Sequence, residues 1–322
     1  MLAIVSPGQG AQKPGFLAPW LDLPGVRESL QRLSDAAEVD LIRHGTASDA
    51  ETIKDTAVAQ PLLVAAGILT ADALAGGEGF ARDGRADLLA GHSVGEVTTA
   101  ALAGVLSAED AMRLVGVRSR AMAEAAAATP TGMAAVVGGQ RDEVMEAIRR
   151  NDLQPANINS SGQVVAAGPT ERIAALVAEP PTRARVMPLQ VAGAFHTDFM
   201  ASARTALSEF APSLTPSDPP SDRPLISNAG GEIVTDGARY LELIVSQVAS
   251  PVDWEACMRV FAEKEVTGIL ELAPAGTLTG LAKRELKGVA LMNLNTPEDL
   301  DAARAFVQEH AGATRSESGQ EI

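Results

Sequence analysis

The feature that most constrains the fold is a serine between two glycines, at the junction of a strand and a helix. Residues 88–100 read LLAGHSVGEVTTA, and we predict a strand over 87–90 and a helix over 94–102. In this setting Gly-x-Ser-x-Gly indicates a nucleophile elbow, in which Ser93 lies on a strained turn with a helix N-terminus behind it. A Gly-rich turn without chemistry has the same pattern, so the rest of the sequence must decide between the two.

The predicted elements around this motif alternate between strand and helix. A strand over 3–6 leads into the Gly-rich loop PGQGAQ, and long helices are predicted over 58–75 and 109–128. Such alternation is typical of an α/β layer with a mainly parallel sheet. A Pro- and Ser-rich connection, APSLTPSDPPSDRP, precedes a strand over 225–227 that returns to the large sheet. Further strands are predicted over 267–272 and 289–294, and a last helix over 297–309.

Between residues 130 and 189 the predicted order becomes strand, helix, strand, strand, helix, strand, which is the ferredoxin-like order. The predicted ranges are 132–137, 141–150, 156–159, 164–167, 170–178 and 184–189. We interpret 130–189 as a small domain inserted into a discontinuous catalytic domain, 1–129 and 190–311. The polar tail 312–322 is predicted to be disordered.

Composition excludes several classes of protein. The net charge of −15 argues against a nucleic-acid-binding protein. The single cysteine, Cys257, excludes an intrachain disulfide and is typical of a reducing cytoplasm. The N-terminus has no basic region typical of a secretory signal, and we find no apolar run of the roughly 18 residues needed to span a bilayer. We therefore expect a cytoplasmic protein without a membrane partner.

A serine nucleophile needs a base, and the chain has four histidines: His44, His92, His196 and His310. His310 lies near the polar tail, and His44 lies in a polar stretch typical of a surface. His92 is adjacent to Ser93 on a tight turn, where neighbouring side chains point apart. His196 remains, in a loop before a helix, and it follows Ser93 in the chain as the base does in α/β-hydrolases.

The group that would orient His196 is not settled by the sequence. Asp198 is too near in sequence, and neither Asp236 nor Asp253 lies in a clear turn after a strand. A backbone carbonyl or an amide is the alternative, because one neutral acceptor is enough to fix the tautomer of an imidazole.

A tetrahedral intermediate needs two hydrogen-bond donors. The N–H of Val94, directly after the serine, is one candidate. The loop PGQGAQ offers the other, since Gly8 and Gly10 permit close backbone approach and Gln9 can donate through its backbone or its amide. The alternative is a plain tight turn after the first strand.

Arg118 falls on the apolar side of its predicted helix, four residues from both Leu114 and Met122. A buried arginine without a partner is costly. A carboxylate that arrives with the substrate and is held by both guanidinium nitrogens would explain this position. A salt bridge within the protein explains it equally well, and the sequence leaves both open.

Five motifs in this order resemble malonyl-CoA:acyl carrier protein transacylases of bacterial fatty-acid synthesis and the related acyltransferase domains of polyketide synthases. They are PGQGAQ, GHSVGE at Gly91–Glu96, Arg118, NINSSGQVV at Asn157–Val165 and GAFH at Gly193–His196. The resemblance extends from about Ile4 to Leu294. It implies an α/β-hydrolase-like large domain with a ferredoxin-like insertion.

The resemblance implies a ping-pong transfer of malonyl from coenzyme A to the phosphopantetheine thiol of acyl carrier protein. Ser93 would carry the malonyl group, and His196 would act as base and then as acid. Arg118 would pair with the malonyl carboxylate. The other implied roles are an oxyanion hole (Gln9 and the Val94 N–H), a histidine-orienting backbone carbonyl (Gln247) and residues that line the site (His92, Asn157, Asn159 and Phe195).

The residues before the histidine bear on substrate choice in the families that the sequence resembles. Phe195 is similar to malonyl-selective members, whereas Gly193 stands where the polyketide malonyl motif more often begins with His. We expect Gly193 to add room, which leaves selectivity against methylmalonyl open, because one methyl group is worth only about 1–3 kcal/mol.

Several alternatives stay open. A serine esterase or thioesterase shares the elbow, a carrier-binding module without activity could keep the fold, and a trans-acting polyketide acyltransferase uses the same chemistry. We expect no metal and no bound cofactor, with the coenzyme A thioester as substrate, and a monomer. The segment LAKRELKG carries Lys283, Arg284 and Lys287 and is either a docking patch for an acidic carrier or a solvated helix face.

Overall fold

The computed structural model describes residues 1–77, 79–191 and 193–312, and its strands form two sheets. The strands in this part of the chain are β1 (Leu2–Ser6), β2 (Leu88–Gly91), β3 (Thr131–Gly138), β4 (Gln154–Ser160), β5 (Gln163–Pro169), β6 (Ala184–Pro188), β7 (Leu225–Ile226), β8 (Ile233–Val234), β9 (Val252–Asp253), β10 (Gly268–Glu271) and β11 (Ala290–Asn293).

Helices cover much of the remaining described chain. The α-helices are α1 (Val26–Ala37), α2 (Leu41–Thr46), α3 (Thr56–Leu74), α4 (Phe80–Asp83), α5 (Gly95–Leu102), α6 (Ala108–Ala128), α7 (Arg141–Arg150), α8 (Thr170–Ala178), α9 (Ala201–Phe210), α10 (Gly237–Gln247), α11 (Trp254–Glu263), α12 (Thr277–Glu285) and α13 (Leu300–His310). The protein is thus a mixed α/β fold.

The larger sheet has the strand order β11-β10-β1-β2-β7-β8 and is parallel except for β8. Its central strands are apolar and buried on both faces, as parallel sheets require. Ser6 at the end of β1 pairs with Gly91 at the end of β2. The loops that follow these two strands therefore lie side by side at the carboxyl edge of the sheet, which is where ligands bind in open α/β sheets.

The smaller sheet has the order β6-β3-β5-β4-β9. The elements β3, α7, β4, β5, α8 and β6 occur in the order that we predicted for residues 130–189. The ladder among β3, β4, β5 and β6 is antiparallel, whereas β9 adds a parallel edge through Asn157 opposite Val252. Because β9 leads directly into α11, the chain after α10 contacts the small sheet before it returns to the large layer.

Some elements lie outside the sequence-based expectations, notably α1, α2, α10 and the two-residue strands β8 and β9. α10 opens with Gly237 and contains the β-branched pair Ile244 and Val245, which lower its helix propensity. Capping compensates, because the Asp236 side chain accepts a hydrogen bond from the Arg239 N–H. The predicted disordered tail lies outside the described residues from 313 onward.

The expectation that no apolar run is long enough to span a bilayer is wrong for one helix, α3. By length and composition α3 could cross a membrane, but 78% of its most apolar window is buried inside the protein. Its residues pack in the main core with those of α5 and α6. A core helix has the same length and composition as a membrane-spanning helix, and α3 is mostly buried inside the protein.

Candidate active site

Ser93 lies on a tight turn between β2 and α5, with a backbone φ of 54°. A non-glycine residue in this region is strained and marks a functional turn in many enzymes. The flanking glycines are required by contact: a Cβ on Gly91 would overlap the backbone of Gly95, and a Cβ on Gly95 would overlap the Ser6 carbonyl. The turn can form only because both side chains are absent.

The side chain of Ser93 faces His196. The Ser93 Oγ and the His196 Nε2 are 2.7 Å apart. On the other side of the ring, His196 Nδ1 donates to the backbone carbonyl of Gln247 over 2.8 Å. This acceptor places the ring proton on Nδ1 and leaves Nε2 able to accept from the serine.

The acidic candidates for orienting the histidine lie elsewhere. Asp236 caps α10, and Asp253 caps α11 by accepting from the Ala256 N–H. Asp198 accepts from the side chain of Gln154. Each carboxylate thus satisfies local backbone or surface donors, and the neutral carbonyl alternative is the arrangement present.

His196 is buried, at 4% exposed, and its backbone φ is 61°. Burial, and next the positive charge of Arg118, lower the pKa of His196 to about 3. The imidazole is therefore neutral at ordinary pH. It can accept the serine proton without first losing one of its own.

Arg118 is fully buried, as its place on the apolar side of α6 predicted. Nη1 donates to Gln60 Oε1 at 2.6 Å, and Nη2 donates to Gln247 Oε1 at 2.9 Å and to Ser93 Oγ at 3.3 Å. Burial lowers the pKa of Arg118 to about 10, so it keeps its charge at neutral pH. Its hydrogen-bond partners are neutral, so the salt bridge that was the alternative explanation does not form with any residue of the described chain.

Two buried polar residues complete this group, and neither was among the residues predicted for the site. Asn228, just after β7, accepts from the Ser93 N–H at 2.8 Å and donates to the Gly91 carbonyl at 2.7 Å. Glu96, in the first turn of α5, accepts from the Asn228 N–H at 2.6 Å and from Gln247 Nε2. The signal for Asn228 was a polar SNAGG segment at the carboxyl end of a predicted strand.

A cavity of about 390 Å³ opens beside the elbow, between the carboxyl edge of the large sheet, the small sheet and α12. Four of the predicted residues line it: Gln9, His92, Asn157 and Asn159. His92 Nε2 lies 2.9 Å from Asn159 Oδ1, and burial lowers the pKa of His92. Asn157 Oδ1 is buried and has no hydrogen-bond partner among the described residues.

The donors proposed for an oxyanion lie at the same edge of the sheet. Val94 is buried directly before the first residue of α5, where backbone N–H groups lack partners within the helix. The Gln9 amide donates to the Lys54 carbonyl and to Thr56 Oγ1, at 3.3 Å each. Since that amide is already engaged, the backbone N–H of Gln9 is the better candidate donor.

The residues before the histidine occupy other positions than we expected. Phe195 is 6% exposed and packs in the main core, outside the lining of the cavity. A Cβ on Gly193 would lie 2.6 Å from the Cβ of Ala126. The expectation that Gly193 adds room is therefore wrong, because α6 already fills the space that its side chain would take.

The three basic residues of LAKRELKG are exposed at the C-terminal end of α12 and just beyond it. Arg284 also lines the cavity, whereas Lys283 and Lys287 do not. The patch therefore lies at the cavity mouth.

This geometry suits acyl chemistry, because a serine hydroxyl meets a neutral imidazole beside a fixed guanidinium at the edge of a parallel sheet. Fold and site define the class as an α/β enzyme of the acyl-transfer type. The chain belongs to the acyl transferase domain family, whose family model matches residues 4–307. The protein is an acyltransferase.

Relatives of this chain in sequence and in structure are malonyl transacylases. The malonyl CoA-acyl carrier protein transacylase of Mycobacterium tuberculosis is 46% identical over 94% of this chain and 98% of its own length. A crystal structure of MCAT from the same organism superposes with a TM-score of 0.90, at 45% identity, over 94% of this chain and 99% of the other. A malonyl-transacylase in complex with a type II PKS acyl-carrier protein, titled PlMCAT:AntF, gives a TM-score of 0.85 at 29% identity, over 94% and 99% of the two chains.

Proposed function

We propose that this protein transfers a malonyl group from malonyl-CoA to the phosphopantetheine thiol of an acyl carrier protein, through malonyl-Ser93. One observation carries the proposal: a buried guanidinium, that of Arg118, lies 3.3 Å from the hydroxyl oxygen of a serine that is paired with a neutral histidine. The names of the relatives, and the solved complex of one with its carrier protein, support the same donor and acceptor.

In the first half-reaction, Ser93 Oγ attacks the thioester carbonyl carbon while its proton passes to His196 Nε2. The C–S bond then breaks, the coenzyme A sulfur takes the proton from Nε2, and malonyl-Ser93 remains. The carbonyl of Gln247 holds the imidazolium that forms between these steps.

In the second half-reaction, the carrier thiol gives its proton to His196 Nε2 and attacks the acyl-serine carbonyl. The ester C–O bond breaks, and Ser93 Oγ takes the proton back. The backbone N–H groups of Val94 and Gln9 are the proposed donors to the oxyanion in both halves. No net proton is consumed, and no cofactor is needed beyond the coenzyme A thioester as substrate.

Arg118 accounts for the choice of a charged acyl group. The partners of this buried cation are neutral, so a malonyl carboxylate would give it an anionic partner. The fixed carboxylate also keeps the acyl group in one orientation until the thiol arrives. The four polar residues that line the cavity, Gln9, His92, Asn157 and Asn159, mark the proposed path of the pantetheine arm.

The strand order β6-β3-β5-β4 supports a ferredoxin-like small domain, 130–189, inserted into an α/β-hydrolase-like domain, 1–129 and 190–311. We propose that the enzyme is a cytoplasmic monomer in fatty-acid synthesis, without a membrane or nucleic-acid partner. The complex of a similar protein with a polyketide carrier favours one second candidate, a trans-acting role in a polyketide pathway. An esterase or thioesterase is the weaker alternative, since it gives Arg118 no role.

The test is to incubate the protein with malonyl-CoA alone and to measure its intact mass. We expect a malonyl adduct on the wild type and none on Ser93→Ala. Addition of a phosphopantetheine-bearing carrier protein should then remove the adduct and yield malonyl-carrier faster than free malonate. Absence of the adduct, or release mainly as malonate with carrier present, would overturn the proposal.

A further inference from the structure

Glu96 is a buried carboxyl to which the proposed reaction assigns no step. It is fully buried in the first turn of α5, three residues after Ser93. Burial raises the pKa of Glu96 to about 7, and the hydrogen bonds from Asn228, Ser227 and Gln247, with the charge of Arg118, oppose that rise. A carboxyl that is costly to bury needs a function or a full set of partners, and its partners lead into the site.

The side-chain amide of Gln247 has one orientation that satisfies its surroundings. Its Nε2 faces three acceptors: the Ser93 carbonyl at 3.1 Å, Asn228 Oδ1 at 3.0 Å and a Glu96 carboxyl oxygen. Its Oε1 faces the Arg118 Nη2 donor. A half-turn of the amide would set oxygen against three oxygens and NH₂ against a guanidinium.

Gln247 in turn holds two groups of the site. Its backbone carbonyl accepts from His196 Nδ1, and its side-chain oxygen accepts from Arg118. Glu96 is the carboxyl acceptor among the three that fix the amide. It therefore acts on the guanidinium through one intervening amide, and such chains of hydrogen bonds polarise one another.

We propose that Glu96 is a positioning residue that fixes the side-chain amide of Gln247 and, through it, aims Arg118 at the substrate carboxylate beside Ser93. This inference rests on the proposed function. It differs from a purely structural role of Glu96 at the N-terminus of α5, which would affect the fold but would not distinguish between acyl groups.

The variant that tests the inference is Glu96→Gln, which keeps the shape. A glutamine offers one accepting and one donating end, so it cannot accept from both the Asn228 N–H and Gln247 Nε2. We expect kcat/KM for loading of Ser93 from malonyl-CoA to fall about 10- to 100-fold, as for loss of one charge-assisted hydrogen bond. Loading from acetyl-CoA, which has no carboxylate, should change less than about threefold.

A second variant tests whether Glu96 acts through Gln247. Gln247→Ala removes the amide but keeps the carbonyl that His196 uses. We expect it to lower the malonyl-to-acetyl ratio as Glu96→Gln does, and the double variant should lower it no further, because both break the same chain. The control is Asp72→Asn, which removes a partly buried carboxylate outside the site, the acceptor of the Phe80 N–H near the end of α3.

The possible results distinguish failure of the inference about Glu96 from failure of the proposed function. An unchanged ratio in Glu96→Gln, with a loss of thermal stability like that of Asp72→Asn, would overturn the inference, as would additive losses in the double variant. If Glu96→Gln does not fold, Gln247→Ala decides alone, and an unchanged ratio there refutes the chain. If the wild type forms no Ser93-dependent malonyl adduct, the failure belongs to the proposed function and not to the role of Glu96.

Discussion

The guanidinium of Arg118 donates from Nη2 to the hydroxyl oxygen of Ser93 over 3.3 Å. Nη2 also donates to Gln247 Oε1, and Nη1 donates to Gln60 Oε1, so both terminal nitrogens of the group are held. The cation is thus fixed beside the nucleophile before any substrate binds. Preorganisation of this kind lets a charged group act on the acyl chain without reorganising during the reaction.

Replacement of Arg118 by alanine should weaken malonyl loading selectively. We expect kcat/KM for malonyl-CoA to fall at least about 10- to 100-fold, because a buried charge-assisted pair is lost, with a smaller effect on acetyl-CoA. Rates of adduct formation measured by intact mass check this. Arg120→Ala is the matched control, since Arg120 lies on the same helix but pairs with Glu38 at the surface. Equal losses with both acyl donors would contradict the clamp.

Asn228→Ala should slow catalysis more than it weakens binding. The variant removes the acceptor for the Ser93 N–H and the donor to the Gly91 carbonyl, so the strained turn loses two contacts. We expect kcat to fall about tenfold or more with little change in KM, and stability to fall by about 1–3 kcal/mol. Asn151→Ala, which removes only a helix-end contact to the Ala147 carbonyl, serves as the control for stability. A change confined to KM would count against this role.

Much of the site could be predicted from the sequence, because residues near a turn between strand and helix carry local signals. The elbow around Ser93 and the buried position of Arg118 follow from spacing and the choice of His196 from elimination, and in the structure the three side chains are in contact. Asn228 and Glu96 could not be found in that way. Their roles depend on which strand ends adjoin, and β7 lies beside β2 although more than 130 residues separate them.

The carbonyl of Gln247 illustrates the same limit. Backbone groups carry no sequence signal, and α10, which ends at Gln247, was not among the predicted helices. Only the resemblance to known transacylases indicated this position. The expectation that Gly193 adds room was wrong for a related reason. The residue that fills the space beside it, Ala126, belongs to a helix distant in sequence.

The stability of the protein should depend on pH through Glu96. Its pKa is raised from 4.5 to about 7 in the fold, so between these values the folded state binds more protons than the unfolded state. The contribution of this raised pKa to the free energy of unfolding is therefore fully present below pH 4.5 and is lost as pH rises through 7. Relative to wild type, Glu96→Gln should gain stability from pH 5 to 8 and level off above that range. Denaturant unfolding of both proteins at several pH values measures the difference.

Among the described residues, the titratable groups that interact with the Glu96 carboxyl are Arg118, Tyr240 and Cys257. Burial raises the pKa of Tyr240 and of Cys257 above their ordinary values of 10.0 and 9.0, and Arg118 stays charged, so none of them titrates in this window. A difference between wild type and Glu96→Gln that does not vary with pH would show that Glu96 keeps one protonation state throughout.

Gly95→Ala should disrupt the elbow. An added methyl group would overlap the Ser6 carbonyl, which is held in the central strand and cannot move aside. We expect loss of malonyl loading together with a marked fall in melting temperature. Gly132→Ala is the control, since nothing lies within 4 Å of its added Cβ. A Gly95→Ala protein with wild-type rate and stability would contradict the close approach of β1 and α5.

Charge reversal at the cavity mouth tests carrier docking. Lys283→Glu with Lys287→Glu should raise KM for the acidic carrier several-fold and leave malonyl loading from coenzyme A unchanged, because neither side chain lines the cavity. Lys264→Glu makes a similar exposed change elsewhere. Unchanged KM for the carrier would mean that α12 presents only a solvated face.

The two-residue strand β9 gives the molecule a mechanical property. It pairs with β4 only five residues after Gln247, whose carbonyl sets the histidine, while β4 itself carries Asn157 and Asn159 into the cavity. The wall of the cavity and the acceptor of the imidazole proton are therefore coupled by one short length of chain. We therefore expect a ligand that displaced this wall to shift the acceptor of His196 as well, so that binding in the cavity and the aim of the base change together.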